Sequence, residues 1–299
     1  MRILMSGGSG MLGQAIVNDP LFTNDKFIIL TRKQSIPSQS QRIEYQHWNP
    51  TGEDDWQNEL GSVDVVINLA GENIGDALWS RKKKEEILSS RVLAGNILAR
   101  AVTAMQPKPG LFIQASAVGF YGNRGNDLLP ETADKGTGFL SDVCQQWEAS
   151  SQEAEKAGVR RMILRTGVVL SKEAGIFPRM LFPIKFFVGG NLGNGEQFIP
   201  WLHVADFVGI VHFLIHRENV SGVFNICAPP LSYKEIGRKL AKIYQRPYWL
   251  TVPDFALKVL LGEMSTLVLD SQRVQPQRLQ QLNYSYRYEN VEDALLSFA

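Results

Sequence analysis

Hydrophobic positions along the chain gather into short, mostly apolar runs: Ile3–Met5, Phe27–Leu30, Val63–Leu69, Leu111–Ala115 and Met162–Leu164. Runs of this length suit strands buried on both faces. Between them the apolar positions take up helical spacing, from Met11 to Asn18, from about Trp79 to Met105 and around Leu140–Ala157, where Gly158 stands as a C-terminal stop. Strand and helix alternating in this way predict an α/β chain, a Rossmann doubly wound parallel sheet with right-handed crossovers. Such a sheet binds ligands at the carboxyl ends of its strands, so the loops after Ala70 and Ala115 face the site. After Leu170 the rhythm breaks at Pro178, Pro183, Gly189-Gly190 and Gly193/Gly195. A helix near Val204–His216 and a strand near Val223–Ile226 then return to the core, and beyond Ala228 the chain reads as short helices and loops. The expected organisation is a Rossmann core over 1–170, completed by about 203–228, with 171–202 and 229–299 forming a small C-terminal α-rich lobe.

The first apolar run meets glycines at Gly7, Gly10 and Gly13, just where a helix begins. Gly7 suits a sharp turn, Gly10 lets the main chain approach a pyrophosphate, and Gly13 lets helix and strand pack closely. The helix start adds free N–H groups and a positive dipole end. Gly7, Ser9, Gly10, Met11, Leu12 and Gly13 are therefore candidate dinucleotide contacts. The second strand ends in Thr31-Arg32-Lys33, without the Asp or Glu that accepts hydrogen bonds from an NAD ribose. Two cations there suit a 2′-phosphate, because guanidinium binds phosphate oxygens as a bidentate fork. NADP is the expected cofactor, with a solvated strand end as the other reading of these cations.

Composition narrows the class further. A formal net charge of +1 gives no cause to expect a nucleic-acid or membrane-surface partner. The Lys82–Lys84 run is followed at once by Glu85 and Glu86, as on a solvated helix face. Two distant cysteines, Cys144 and Cys227, suggest reduced thiols and a cytoplasmic protein. No signal-like segment or bilayer-length apolar stretch is visible, and the four scattered histidines give no metal-ligand spacing.

Several segments together resemble the extended short-chain dehydrogenases/reductases, within the subfamily called epimerase family proteins. They include Gly7–Gly13, Thr31-Arg32, Asn68–Ile74, Ser90-Arg91, Ser116–Gly122, Cys144–Glu148, Arg165–Leu170, Pro200–Asp206, Leu261–Glu263 and Gln272–Pro276. The resemblance implies a Rossmann core with a small substrate lobe, NADP as cofactor, and contacts at Thr31, Arg32, Leu69, Ala70, Glu86 and Arg91. The residues themselves add Gly71, since a small residue closing a buried strand lets adenosine or its ribose lie against the backbone. Glu86 and Arg91 read on pattern alone as a solvated helix face.

The wider superfamily transfers protons with a Tyr whose pKa is lowered by a Lys four residues later. None of the eight tyrosines here has Lys at that position. Aligning Glu148 with the acidic residue that ends the superfamily motif puts Leu140 at the Tyr position and Cys144 at the Lys position. Ser116 follows the Leu111–Ala115 strand, where a substrate-orienting hydroxyl belongs, and Tyr121 is an alternative proton donor in the next loop. Each also has a structural reading, as a turn hydroxyl and as an aromatic wedge. His203, Asp206 and Trp147 read more readily as helix-start and core residues than as site groups. Two functions are compatible with this pattern. One is an NADP-dependent oxidoreductase or epimerase-like enzyme acting on a small carbonyl or hydroxyl compound. The other is a non-catalytic NADP-binding redox sensor or regulatory protein.

Overall fold

The computed structural model describes residues 1–33, 40–50, 56 and 61–299. Within these residues the apolar runs become β1 (Arg2–Ser6), β2 (Lys26–Thr31), β4 (Val65–Asn68) and β5 (Leu111–Ala117), with β3 (Ile43–His47) on the edge. The strands Arg160–Thr166 and Gly222–Ile226 complete the sheet. Its order is Gly222–Ile226, Arg160–Thr166, β5, β4, β1, β2, β3, seven strands in all, and every adjacent pair is parallel. The order reverses direction between β1 and β4, which opens a crevice at their carboxyl ends.

Side-chain alternation along the strands assigns the two faces. Ile3 and Met5 pack with Ile16 and Val17 of α1 (Met11–Asn18), whereas Leu4, Ile28 and Phe112 pack with Leu98 and Val102 of α2 (Arg81–Ala104). Where the strands end, polar residues stay buried because they satisfy one another. Ser6 Oγ donates to Asn68 Oδ1 (2.6 Å) and Asn68 Nδ2 donates to Gln114 Oε1 (3.0 Å). Asn68 Oδ1 also accepts the Ala70 N–H at 3.2 Å, which fixes the loop leaving β4.

The helix expected around Leu140–Ala157 is two helices, α3 (Phe139–Ser150) and α4 (Gln152–Lys156). They part at Ser151, which is fully buried and whose hydroxyl turns back to the Glu148 carbonyl (3.4 Å). The later helices are α5 (Phe177–Lys185), α6 (Val204–Ile215), α7 (Tyr233–Ile243) and α8 (Asp254–Leu261), of which α6 returns to the core with Phe207, Val211 and Leu214 buried in the cluster that holds α1. The α7 start is a capping box, Ser232 with Glu235.

Two short ladders tie the C-terminal segment to the rest: Leu250–Val252 pairs with Gly190–Leu192, and Arg273–Val274 with Leu128–Leu129. His203 and Asp206 at the start of α6 fasten the C-terminus. His203 Nδ1 accepts the Ala205 N–H (3.0 Å), so in the neutral ring Nε2 carries the proton toward Ser297 Oγ (3.1 Å). The fully buried Asp206 carboxylate accepts the N–H groups of Arg287 (2.6 Å) and Tyr288 (3.0 Å).

Candidate functional site

The glycine turn has the geometry its sequence implies. Gly7 sits at φ +72°, and a Cβ there would come within 2.7 Å of the Leu69 backbone. A Cβ on Gly13 would stand 2.5 Å from Gly8 Cα, so Gly13 is required where the helix packs against the turn itself. Gly10 differs: its nearest obstruction is the Gly7 carbonyl at 3.3 Å, and its open side faces the crevice. Gly10 is also the N-cap of α1, where no side chain caps the helix, leaving the first-turn N–H groups for an anion. The Met11 and Leu12 side chains pack toward the core, so only the backbone of these two residues serves the turn.

This turn opens into a cavity of about 720 Å³. Thr31, Arg32, Leu69, Ala70, Gly71 and Glu86 all line it, together with Gly7, Ser9 and Gly10. Arg32 and Lys33 are exposed at its rim and form no ion pair among the described residues. Thr31 Oγ1 accepts the Lys33 N–H at 3.2 Å, shaping the turn that presents them. The opposite wall is pinned to α2. Lys83 Nζ pairs with Glu72 and Asp76, each at 2.7 Å, and Ser90 Oγ accepts the Glu72 N–H at 3.0 Å. Sequence reasoning missed Trp48, Pro50, Ser89, Ser90, Leu93 and Ala94, which also line this cavity. The α2 members were findable, since Glu86, Ser90 and Leu93 share one helix face. Trp48 carried no such signal.

A second cavity of about 500 Å³ lies under the C-terminal lobe. Arg91 stands where the two cavities meet: it lines the second, and its Cζ lies 3.0 Å from where a Gly71 Cβ would project. The guanidinium donates to the Ile87 carbonyl (2.9 Å) and lies 4.9 Å from the Trp147 ring centroid. It has no carboxylate within ion-pair distance among the described residues, and burial lowers its pKa. A part-buried cation with no directly bonded carboxylate can take an anion.

Leu140 and Cys144, at the positions of the missing Tyr and Lys, both line the second cavity. Burial pushes the Cys144 thiol up to about 11, aided by Glu148, so it is neutral near pH 7. Cys144 is therefore an apolar wall rather than a nucleophile.

The two hydroxyls expected to face a substrate are placed elsewhere. Ser116 is 3% exposed and donates to Glu148 Oε1 at 2.7 Å. Glu148 in turn accepts both Arg165 Nε (2.8 Å) and Arg165 NH2 (3.0 Å). Tyr121 is fully buried; its hydroxyl donates to Asn225 Oδ1 (2.7 Å) and accepts from Arg165 NH1 (3.1 Å). Neither side chain lines either of the two cavities described above. The reason is the buried Glu148–Arg165 pair, whose remaining hydrogen-bonding positions these hydroxyls fill. Burial also pushes the Tyr121 phenol up, despite Arg165 beside it, away from the range of a proton donor at neutral pH. In this structure both hydroxyls are engaged in the Glu148–Arg165 network rather than turned to either cavity.

With this geometry in hand, three comparisons place the chain among known proteins. The model of the NAD dependent epimerase/dehydratase family matches residues 3–227, and that of a domain of unknown function matches 252–297. An epimerase family protein of Staphylococcus aureus is 35% identical over 300 residues, covering 98% of this chain and 97% of the relative. One from Staphylococcus saprophyticus is 36% identical over 296 residues, with the same coverage. Among solved structures, a human epimerase family protein determined with NADPH superposes with a TM-score of 0.89 at 26% identity, over 100% of this chain and 99% of that one. A UDP-glucuronic acid 4-epimerase of Bacillus cereus, determined with UDP-glucuronic acid and NAD, has a TM-score of 0.77 at 17% identity. It is aligned over 99% of this chain and 97% of that one, and shares the fold alone.

Proposed function

This chain belongs to the NAD dependent epimerase/dehydratase family, and we propose that it is an NADP-dependent oxidoreductase or epimerase-like enzyme acting on a small carbonyl or hydroxyl compound. The observation that carries this reading is the convergence of the open Gly10 turn and the Arg32/Lys33 rim on one cavity. Gly7, Ser9 and Gly10, with the free N–H groups of Met11, Leu12 and Gly13, would hold the pyrophosphate. Thr31 and Arg32 would take the 2′-phosphate. Leu69, Ala70 and Gly71 would lie against the adenosine half, beside Glu86. Arg91, unpaired between the cavities, would hold an anionic or ribose group of the nicotinamide half. The dinucleotide, when bound, supplies hydride chemistry. The chain's own part is to bind it, orient it, and present the second cavity to its reactive end. The cofactor bound by the human relative, named as NADPH, supports the same choice.

Arg32→Asp tests the cofactor assignment. A lost charge-assisted contact of about 1.5–3 kcal/mol should weaken NADPH roughly 10- to 100-fold while leaving NADH nearly unchanged. Calorimetric titration with both nucleotides reads this directly, and equal weakening of the two would remove Arg32 from the 2′-phosphate.

A second reading, a non-catalytic NADP-binding redox sensor, is favoured by one observation: apolar Leu140 and Cys144 occupy the positions of the usual proton-transfer pair. Mixing the NADPH complex with a panel of carbonyl compounds separates the two. Loss of NADPH absorbance with any of them selects the enzyme, and tight binding without turnover selects the sensor.

A further inference from the structure

We propose that the second cavity receives an uncharged alcohol or carbonyl compound with an apolar body and no phosphate, and that Asp270 is the group that meets its oxygen. The assignment of the reacting end of this cavity, and the exclusion of phosphate, which leaves Arg91 to the dinucleotide, rest on the cofactor reading above; the apolar body of the ligand and the role of Asp270 do not.

The walls define the body of the ligand. Trp79, Phe139, Leu140, Val143, Trp147 and Phe198 all face this space. Aromatic and aliphatic walls of this kind bind apolar surface, with a few polar groups fixing orientation. The charges define what the ligand lacks. Arg91 is the one cationic lining residue and stands at the junction with the first cavity, whereas Glu263 and Asp270 line the lobe side. Glu263 is ion-paired with Lys84, which also lies 5.0 Å from the Phe139 ring centroid. A nucleoside diphosphate would bring its negative charges toward two carboxylates and find no free cation on that side among the described residues.

Among the lining residues, two groups stand without a partner among the described residues: the buried indole Nε1 of Trp147 and, the ionisable one of the two, the carboxylate of Asp270. Its carboxylate makes no hydrogen bond or ion pair among the described residues, and burial alone raises its pKa. Its position is nonetheless fixed. The Asp270 N–H donates to the Thr266 carbonyl (3.1 Å), closing the short helix before it. The next two residues are stitched to the loop after β5: the Ser271 N–H donates to Asn123 Oδ1 (3.2 Å), the Ser271 carbonyl accepts the Arg124 N–H (3.0 Å), and Gln272 Nε2 donates to the Gly122 carbonyl (3.2 Å). A half-buried carboxyl that lines the cavity with no protein partner is open to a ligand's oxygen. Ionised, it accepts a hydrogen bond from an alcohol; protonated, it donates one to a carbonyl.

The test is binding to the full chain in saturating NADP⁺, followed by tryptophan fluorescence, with 4-phenylbutan-2-ol, 4-phenylbutan-2-one and UDP-glucose as probes. The alcohol and the ketone should bind saturably and compete, and UDP-glucose should displace neither. Raising the pH through the Asp270 titration should strengthen the alcohol and weaken the ketone. Asp270→Asn should weaken the alcohol about tenfold and flatten both pH profiles, and Asp270→Glu should restore them in part. Failure of both phenylbutyl probes to bind, displacement by UDP-glucose, or an Asp270→Asn profile matching the parent overturns the proposal. NADP⁺ titrated alone, and the probes titrated without it, keep the two claims separate: a chain that ignores NADP⁺ yet binds the alcohol through Asp270 refutes the cofactor and not the cavity.

Discussion

Ser116 and Tyr121 show how a residue's place in the chain and the direction of its side chain can part company. The position of Ser116 at the carboxyl end of β5 follows from the apolar run before it. The direction of its hydroxyl depends on Glu148, 32 residues away, and that of Tyr121 on Asn225, 104 residues away. No local pattern encodes those partners. Removing the Ser116 hydroxyl should cost about 1.5–3 kcal/mol, the range for a hydrogen bond to a charged group. Glu148→Ala should cost more, about 3–5 kcal/mol, because it strands the Arg165 guanidinium, which is 5% exposed as a residue. Urea denaturation of the two variants measures both. A Ser116→Ala protein of parental stability that loses turnover would return Ser116 to the substrate. The glycine turn and the placement of Arg32 on the cavity rim, by contrast, were legible because backbone geometry and chain order set them, and sequence records both directly.

At the scale of elements, legibility followed burial. The sheet's inner strands were visible as apolar runs because both faces are covered, and α1 was readable to its ends. Strand β3 escaped because, on the sheet edge, none of its positions is fully buried and two of its five are Glu44 and Gln46. Helix α7 was dissolved into short helices and loops, although its capping box stood in the sequence as Ser232 and Glu235. The junction of α6 with the C-terminus makes a pH prediction. Burial, with Arg287 nearby, pushes His203 down to about 4, and the neutral ring is the form whose Nδ1 caps the helix. The unfolded chain takes up this proton near pH 6.5, whereas the folded chain resists until about 4. Stability is therefore complete above the unfolded value and is lost as pH falls through this window, by about 3 kcal/mol. His203→Phe keeps a ring against Phe298 and Tyr288 but should flatten this part of the stability–pH curve. Thermal denaturation between pH 4 and 7 checks it, and an unchanged slope would mean that His203 is not the titrating group.

Across the whole molecule, two cavities share one edge of the sheet and meet at Arg91. With a net charge of only +1, any affinity for an anionic dinucleotide must come from a few placed groups rather than from the overall field. The α/β architecture and the C-terminal lobe were both legible. The seam between core and lobe was not, because it is built from ladders of two or three residues and single hydrogen bonds such as those of Ser271 and Gln272. The central claim is that the glycine turn holds the pyrophosphate of an NADP-type dinucleotide. Its most direct test is a calorimetric titration of NADPH into the parent chain and into Gly10→Val, a site where space, and not fold, demands glycine. One-to-one binding to the parent, stronger than that of NADH, and none to a Gly10→Val chain of normal melting temperature is the predicted result. No binding to the parent, or undiminished binding to folded Gly10→Val, would contradict it.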